Sequence, residues 1–191
     1  MPSAPSSTDL LRRAKQGSDA ALNLLYERCA GRMLAYIRLR LGRELRARME
    51  SRDILQATLL KSLTHLHELK GEERESLMAW LARIAEHEIR DRADYHQRQR
   101  RDAAREVAID DESPLAVAAR SALSQVILDE RARALEAAMD TLSPAHREVI
   151  LLRKFEELTF PEIARRLGKS EDACRMLFAR AMTALTMAMQ A

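Results

Sequence analysis

The amino-acid sequence predicts an all-α protein built as two small helical domains joined by a linker. Composition is the first reason: Ala, Leu, Arg and Glu dominate the 191 residues, glycines number five and aromatics make up 4%, which favours helix over sheet. Periodicity is the second, because apolar residues recur at i, i+3, i+4 and i+7 rather than alternating. The third is an acidic break, Ile109-Asp-Asp-Glu-Ser-Pro114, whose proline stops a helix and whose charges suit a tether. The expected division is a helical domain over 1–105, a linker over 106–123 and a second helical domain over 124–191.

Asp9 is expected to cap a first helix through Ala14 and Lys15, with Gly17 ending it and Ser18 capping the next. The second helix carries Leu22, Leu25, Tyr26 and Cys29, then continues or restarts through Met33, Leu34, Ile37 and Leu41 to Gly42. Ser51 is read as the cap of a third helix that buries Ile54, Leu55, Thr58, Leu59 and Leu63. After a polar loop over residues 70–75, Ser76 is read as the cap of a fourth, with Leu77, Trp80, Leu81, Ile84 and Ala85 inward. It runs out into the basic end Tyr95-His-Gln-Arg-Gln-Arg-Arg101. From Leu115 an alanine-rich helix, bent or interrupted, leads through Leu123, Ile127, Ala134, Leu135 and Met139.

Residues 142–181 carry the most information. Ser143 before Pro144 places an N-cap ahead of a proline at the first helical position, and Val149, Ile150, Leu152 and Phe155 form the apolar face of a helix ending near Glu156. Thr159 with Glu162 is a capping box that opens a short helix with Ile163, Ala164 and Leu167 inward, and Gly168 stops it. Ser170 caps a third helix, with Glu171 and Asp172 at the positive end of its dipole. Cys174, Phe178, Ala181 and Leu185 then pack inward, leaving Arg175, Met176, Ala179 and Arg180 outward. This is helix-turn-helix spacing, and such a third helix fits the major groove of B-DNA.

Several other classes find no support. Gly168-Lys169-Ser170 is not a phosphate loop, because Ile163 stands where a second glycine is needed and the preceding segment is a helix, not a strand. His65 and His67 lie on different faces of one helix, so no metal site or cofactor is expected, and no nucleophile–base arrangement has local support. Cys29 and Cys174 are expected as reduced core thiols, which fits a cytoplasmic protein. The first eight residues lack the basic start and apolar run of a secretion signal, and no membrane insertion is expected. A net charge of +3 permits nucleic-acid binding without demanding it.

Taken together, the two halves resemble the extracytoplasmic-function (ECF) subfamily of bacterial RNA polymerase sigma factors. Leu142-Ser-Pro-Ala-His-Arg-Glu-Val-Ile-Leu-Leu152 and Leu158-Thr-Phe-Pro-Glu-Ile-Ala164 are similar to the family's fourth conserved region. Asp53-Ile-Leu-Gln-Ala-Thr58 and Leu77-Met-Ala-Trp-Leu-Ala-Arg-Ile-Ala85 are similar to its second. The opening, Leu10-Leu-Arg-Arg-Ala-Lys-Gln-Gly17 followed by Ala21-Leu-Asn-Leu-Leu-Tyr26, looks like the family's usual start.

The resemblance implies a non-enzymatic initiation subunit with two partners, core RNA polymerase and promoter DNA in duplex and melted form; many relatives add a third, an anti-sigma protein. It implies upstream, minus-thirty-five contact through Lys169, Ser170, Glu171, Arg175, Met176, Ala179 and Arg180. Minus-ten contact is implied for Arg83, His87, Arg90, Arg92, Arg98, Arg100 and Arg101, and polymerase contact for Asp53 and Gln56. Trp80 is read as core rather than a base-stacking platform, since it shares the inward stripe. The acidic Asp110-Asp-Glu112 falls where relatives thread a segment through the polymerase, though a solvated tether explains it equally well.

Departures from the family pattern bear on specificity. Leu177, Met182, Thr183 and Ala184 stand where basic residues are common, so phosphate anchoring by the reader helix is expected to be weak. His87, Ala57, Leu59 and Leu63 also replace common family residues, which bears on minus-ten preference and clamp contact. Two other readings compete: a duplex operator-binding regulator with no polymerase docking, and a helical protein-binding adaptor using exposed Met176 and Leu177.

Overall fold

The computed structural model of the chain describes residues 5–66, 77–99 and 130–190, without the side chains of 96–99. The expected features at Ser76, His67, the loop over 70–75, the linker over 106–123, Leu123 and Ile127 lie outside the described residues, as does the side chain of His96. Every regular element among the described residues is helical, as the composition predicts. In chain order they are α1 (Ser7–Lys15), α2 (Asp19–Arg46), α3 (Ser51–Thr64), α4 (Leu77–Gln99), α5 (Glu130–Thr141), α6 (Pro144–Lys154), α7 (Phe160–Leu167) and α8 (Glu171–Gln190).

Local capping sets most boundaries. Gly17 ends the α1 segment with φ 89°, a conformation a side chain would strain, and Ser18 then accepts the Ala21 N–H at 3.4 Å to start α2. Two caps differ from the sequence reading. Ser6, with its backbone extended, accepts the Asp9 N–H at 3.1 Å, so Asp9 lies inside the first turn and binds Arg12 at 2.6 Å instead. Ser51 is the first residue of α3 and is buried, while Glu50 holds the cap position without a side-chain bond. In both places adjacent polar residues competed for one role, and the backbone angles chose between them.

Helix α2 is the spine. It is one unit through Met33 and Ile37 and kinks at Gly42 (φ 63°, ψ 175°), where the Arg46 guanidinium folds back to donate to the Arg38 carbonyl at 2.8 Å. Leu10 of α1 packs on Ala21 and Leu25 in a small satellite cluster. The main core runs along the rest of α2, where Tyr26, Met33, Tyr36 and Ile37 meet Ile54, Leu55 and Leu59 of α3 and Leu81, Ala82 and Ala85 of α4. Trp80 is buried in it, as its position on the stripe requires. Burial of the Tyr26 ring raises its hydroxyl pKa, and that hydroxyl is satisfied by Ser62 Oγ at 2.6 Å.

The core does not stop at the end of α4. It continues through Ala138 and Met139 of α5, Val149 and Leu152 of α6 and Ile163 of α7 to Cys174, Ala181 and Leu185 of α8. Helix α2 packs against α5 and α6 as well as α3 and α4. Cys174 is buried and Cys29 half-buried, both as free thiols, and burial pushes the Cys29 thiol up to about 12. No helix of the described residues is long and apolar enough to cross a membrane.

Candidate nucleic-acid interface

The helix-turn-helix geometry rests on local chemistry at each joint. Ser143 Oγ accepts the His146 N–H at 3.3 Å ahead of α6, which ends at Lys154 with Phe155 as its C-cap. The Glu162 carboxylate accepts from both the Thr159 N–H at 2.7 Å and the Thr159 hydroxyl at 2.6 Å, and these bonds hold the Glu162 carboxyl below its usual range. Gly168 closes α7 in the left-handed region (φ 62°, ψ 37°). Ser170 Oγ then accepts the Ala173 N–H at 3.2 Å to launch α8.

Once α8 is set in that register, its faces follow. Cys174, Ala181 and Leu185 are buried and Phe178 half-buried, while Arg175, Met176, Ala179 and Arg180 are exposed on the opposite side with Lys169 and Ser170. Glu171 is half-exposed and ion-pairs with Arg175 one turn on. Leu177 is half-buried and packs against the core, so it does not belong to an exposed apolar surface. The exposed methionines of this helix are Met176, Met187 and Met189.

An aromatic pair organises cations at the mouth of this motif. Phe160, the first residue of α7, meets Phe178 of α8 edge to face at 5.9 Å. The Arg175 guanidinium lies 4.7 Å from the Phe160 ring centre and that of Arg153 lies 5.1 Å from it, while the Lys154 ammonium is 5.9 Å from Phe178. Arg153 also donates to the Leu158 carbonyl at 2.9 Å. Arg153 and Lys154 were not among the sequence candidates, because they end a different helix from the reader; the signal for them was a basic pair one loop ahead of a capping box.

On α4, Arg83, His87 and Arg90 are exposed at i, i+4 and i+7, one outward stripe opposite Leu81, Ala85 and Ile89. Arg92 turns away from that stripe and donates to the Asp53 carbonyl of α3 at 3.2 Å. This ties the two helices together. The Asp53 side chain is exposed and Gln56 half-exposed, one turn apart near the start of α3. The side chain of Arg98, and Arg100 and Arg101, lie outside the described residues. No group of three or more His, Cys, Asp or Glu side chains able to hold a metal ion occurs among the described residues.

Between these two regions lies an ionic cluster that periodicity could not reveal. Glu86, on α4, accepts from Arg40 of α2 at 2.9 Å and from Arg166 of α7 at 2.6 Å. Burial works to raise the Glu86 carboxyl, but the hydrogen bonds from Arg166 and Arg40 outweigh it and hold the group below its usual range. Arg166 also reaches Glu156 at 3.1 Å, and Tyr36 donates to that carboxylate at 3.0 Å. Glu156 is only 3% exposed, and its burial raises the carboxyl despite Arg166 and Arg40.

The residues forming the helix-turn-helix match a known family. Residues 132–185 match the family described as Sigma-70, region 4. Over 177 residues the chain is 28% identical to the ECF RNA polymerase sigma factor BldN of Streptomyces coelicolor, covering 93% of this chain and 63% of that protein. The chain thus spans less than two thirds of that relative's length. Among solved structures, CnrH in complex with the cytosolic domain of CnrY aligns with a TM-score of 0.50 at 24% identity, covering 95% of this chain and 96% of that one. The sigma factor RpoE in complex with the anti-sigma factor NepR from Bartonella quintana aligns with a TM-score of 0.49 at 20% identity, covering 94% and 98%.

Proposed function

We propose that this relative of the ECF RNA polymerase sigma factors is itself a promoter-specificity subunit: a cytoplasmic, non-enzymatic protein that docks on core RNA polymerase, reads an upstream duplex element and helps to open the minus-ten region. The carrying observation is the exposed face of α8. Arg175 and Arg180 stand outward on a helix launched from a left-handed glycine turn, within the segment that matches sigma-70 region 4. A helix so presented can enter the major groove with its first turns toward base edges.

In this reading residues 124–191 are the upstream-reading domain and 1–105 the docking and melting domain. Lys169, Ser170, Glu171, Arg175, Met176, Ala179 and Arg180 meet the upstream duplex, with Arg153 and Lys154 on its phosphates. The stripe of Arg83, His87 and Arg90 meets the melted strand, where basic groups neutralise the backbone. Minus-ten contact is assigned as well to Arg98, Arg100 and Arg101, whose side chains lie outside the described residues, and to Arg92, which lies to the side of the stripe and binds the Asp53 carbonyl. Asp53 and Gln56 contact polymerase, and an anti-sigma protein is a natural regulator.

Support for docking comes from Asp53 together with Gln56 and the fourth-helix motif of residues 77–85, which an operator-binding regulator has no need of. The test is co-elution of the full chain with core polymerase at low salt. The proposal expects a stoichiometric complex that Asp53→Arg weakens at least tenfold while helix content stays unchanged. A chain that never co-elutes with core polymerase refutes it.

A further inference from the structure

Three of the four large apolar side chains that stand exposed among the described residues, Met176, Met187 and Met189, belong to the reader helix α8. Their settings differ. Past Arg180 the helix carries no charged side chain, so Met187 and Met189 stand among Ala, Thr and Gln. Met176, 56% exposed, stands between two arginines.

Helical spacing fixes that setting. Asp172, Met176, Ala179 and Thr183 recur at i, i+4, i+7 and i+11, all exposed, on the line opposite buried Cys174, Ala181 and Leu185. Arg175 leaves this line on the side of Phe160, where Glu171 also holds it, and Arg180 leaves it on the other side. Past Asp172 the line offers a duplex no hydrogen-bond donor, because methionine and alanine have none and the Thr183 hydroxyl donates to the Ala179 carbonyl at 3.1 Å. The outward centre of the reader is apolar, and its two flanks are cationic.

The major groove of B-DNA has the complementary layout. Its walls are phosphates, and its floor presents donors and acceptors at every base pair but only one alkyl group, the 5-methyl of thymine. With the arginines toward the walls, Met176 and Ala179 face the floor, and both lie in the N-terminal half of α8, the part that reaches base edges in this motif. A guanine–cytosine pair beneath Met176 would have its amino and carbonyl groups stripped of water with no partner in return. A thymine methyl gains by the same burial, and the unbranched, polarizable methionine chain suits the contact.

We propose that Met176, with Ala179 beside it, is a specificity-determining residue that reads a thymine 5-methyl group in the upstream duplex. The inference rests on the reading of α8 as the upstream reader and names the base chemistry that it takes. The flanking cations favour a polyanion over a protein as the occupant of this line.

The test uses the full chain with core polymerase on duplexes selected from a pool randomised over the upstream element. Each thymine of a selected duplex is replaced in turn by deoxyuridine, which deletes the methyl and keeps every hydrogen-bonding atom. The proposal expects one such replacement to weaken wild-type binding about fourfold, the ~0.8 kcal/mol of one buried methyl-sized group. Met176→Ala should bind the thymine and deoxyuridine duplexes alike, Met176→Leu should keep most of the preference, and Met187→Ala should match wild type. Wild-type binding indifferent to every replacement, a selected element without thymine, or a preference that survives Met176→Ala overturns the proposal. Loss of polymerase co-elution by Met176→Ala with the methyl preference intact also overturns it and gives the residue to a protein partner. If no duplex is enriched over core polymerase alone, the functional reading falls and takes this inference with it, whereas enriched duplexes blind to the methyl remove the inference alone.

Discussion

Arg166 of α7 places one guanidinium nitrogen 2.6 Å from both carboxylate oxygens of Glu86, a residue eighty positions earlier on α4. The same guanidinium turns its other nitrogen to the buried Glu156. Two carboxylates in different settings thus share one cation, and the setting decides how each titrates.

The pH dependence follows from those settings. Arg166 and Arg40 hold Glu86 below its ordinary value of 4.5 against the opposing effect of burial, and Arg38 holds Glu136 below the same value. The stability that these two contribute is present above the unfolded pKa and is lost as pH falls through their folded values. Glu156 has the opposite sign, since burial raises it: its contribution is present below the unfolded pKa and is lost as pH rises through the folded value. Thermal melts should therefore show Glu156→Gln more favourable, relative to wild type, at pH 7 than at pH 4. A variant more damaging at pH 7 than at pH 4 contradicts this assignment.

Glu157 adopts φ 57°, the one non-glycine residue in the left-handed region among the described residues. That conformation costs an ordinary side chain about 1–2 kcal/mol, against which glycine's extra unfolded-state entropy returns about 0.5–1 kcal/mol. Its ion pair with Arg32, at 3.7 Å and solvent-exposed, adds little. Glu157→Gly is expected to raise stability by up to about 1 kcal/mol, read as a higher urea midpoint with an unchanged slope. A fall in the midpoint would show that the turn is not strained.

Trp80 sits in the core at 6% exposure, and truncation there should cost about 3–5 kcal/mol through lost burial and a residual cavity. Trp80→Phe keeps most of the volume and should retain affinity for a single-stranded minus-ten oligonucleotide within about twofold. A tenfold loss in the folded Phe variant would make Trp80 a base-stacking residue instead.

Upstream binding should separate two kinds of arginine. Arg175 is oriented by the Phe160 ring and the Glu171 carboxylate, whereas Arg180, exposed one and a half turns on, has neither. Arg175→Ala is expected to cost about 1–3 kcal/mol on the preferred duplex and to relax sequence choice, as for a base contact. Arg180→Ala should weaken all duplexes alike and lower the log–log salt slope by about 0.9. The assay is fluorescence anisotropy across a salt series, and identical behaviour of the two variants refutes the division.

The helix-turn-helix was legible because each joint is written in neighbouring residues: Ser143 before Pro144, Thr159 with Glu162, Gly168 and Ser170. The inward stripe of α8 followed from spacing alone. The ionic cluster was not legible, since Arg40, Glu86 and the Glu156–Arg166 pair come from three distant segments and each residue reads locally as a solvated charge. Only the packing of α2 against both halves brings them together. Asp9 and Ser51 show the smaller limit: where polar residues adjoin, composition names several possible caps and backbone geometry selects one.

Promoter-directed transcription from a randomised promoter library, with purified core polymerase and the full chain, tests the central claim most directly. The account expects transcripts from a subset sharing an upstream and a minus-ten sequence, with the upstream preference blurred by Arg175→Ala. Output indistinguishable from core polymerase alone, at low salt and with a folded chain, would contradict it.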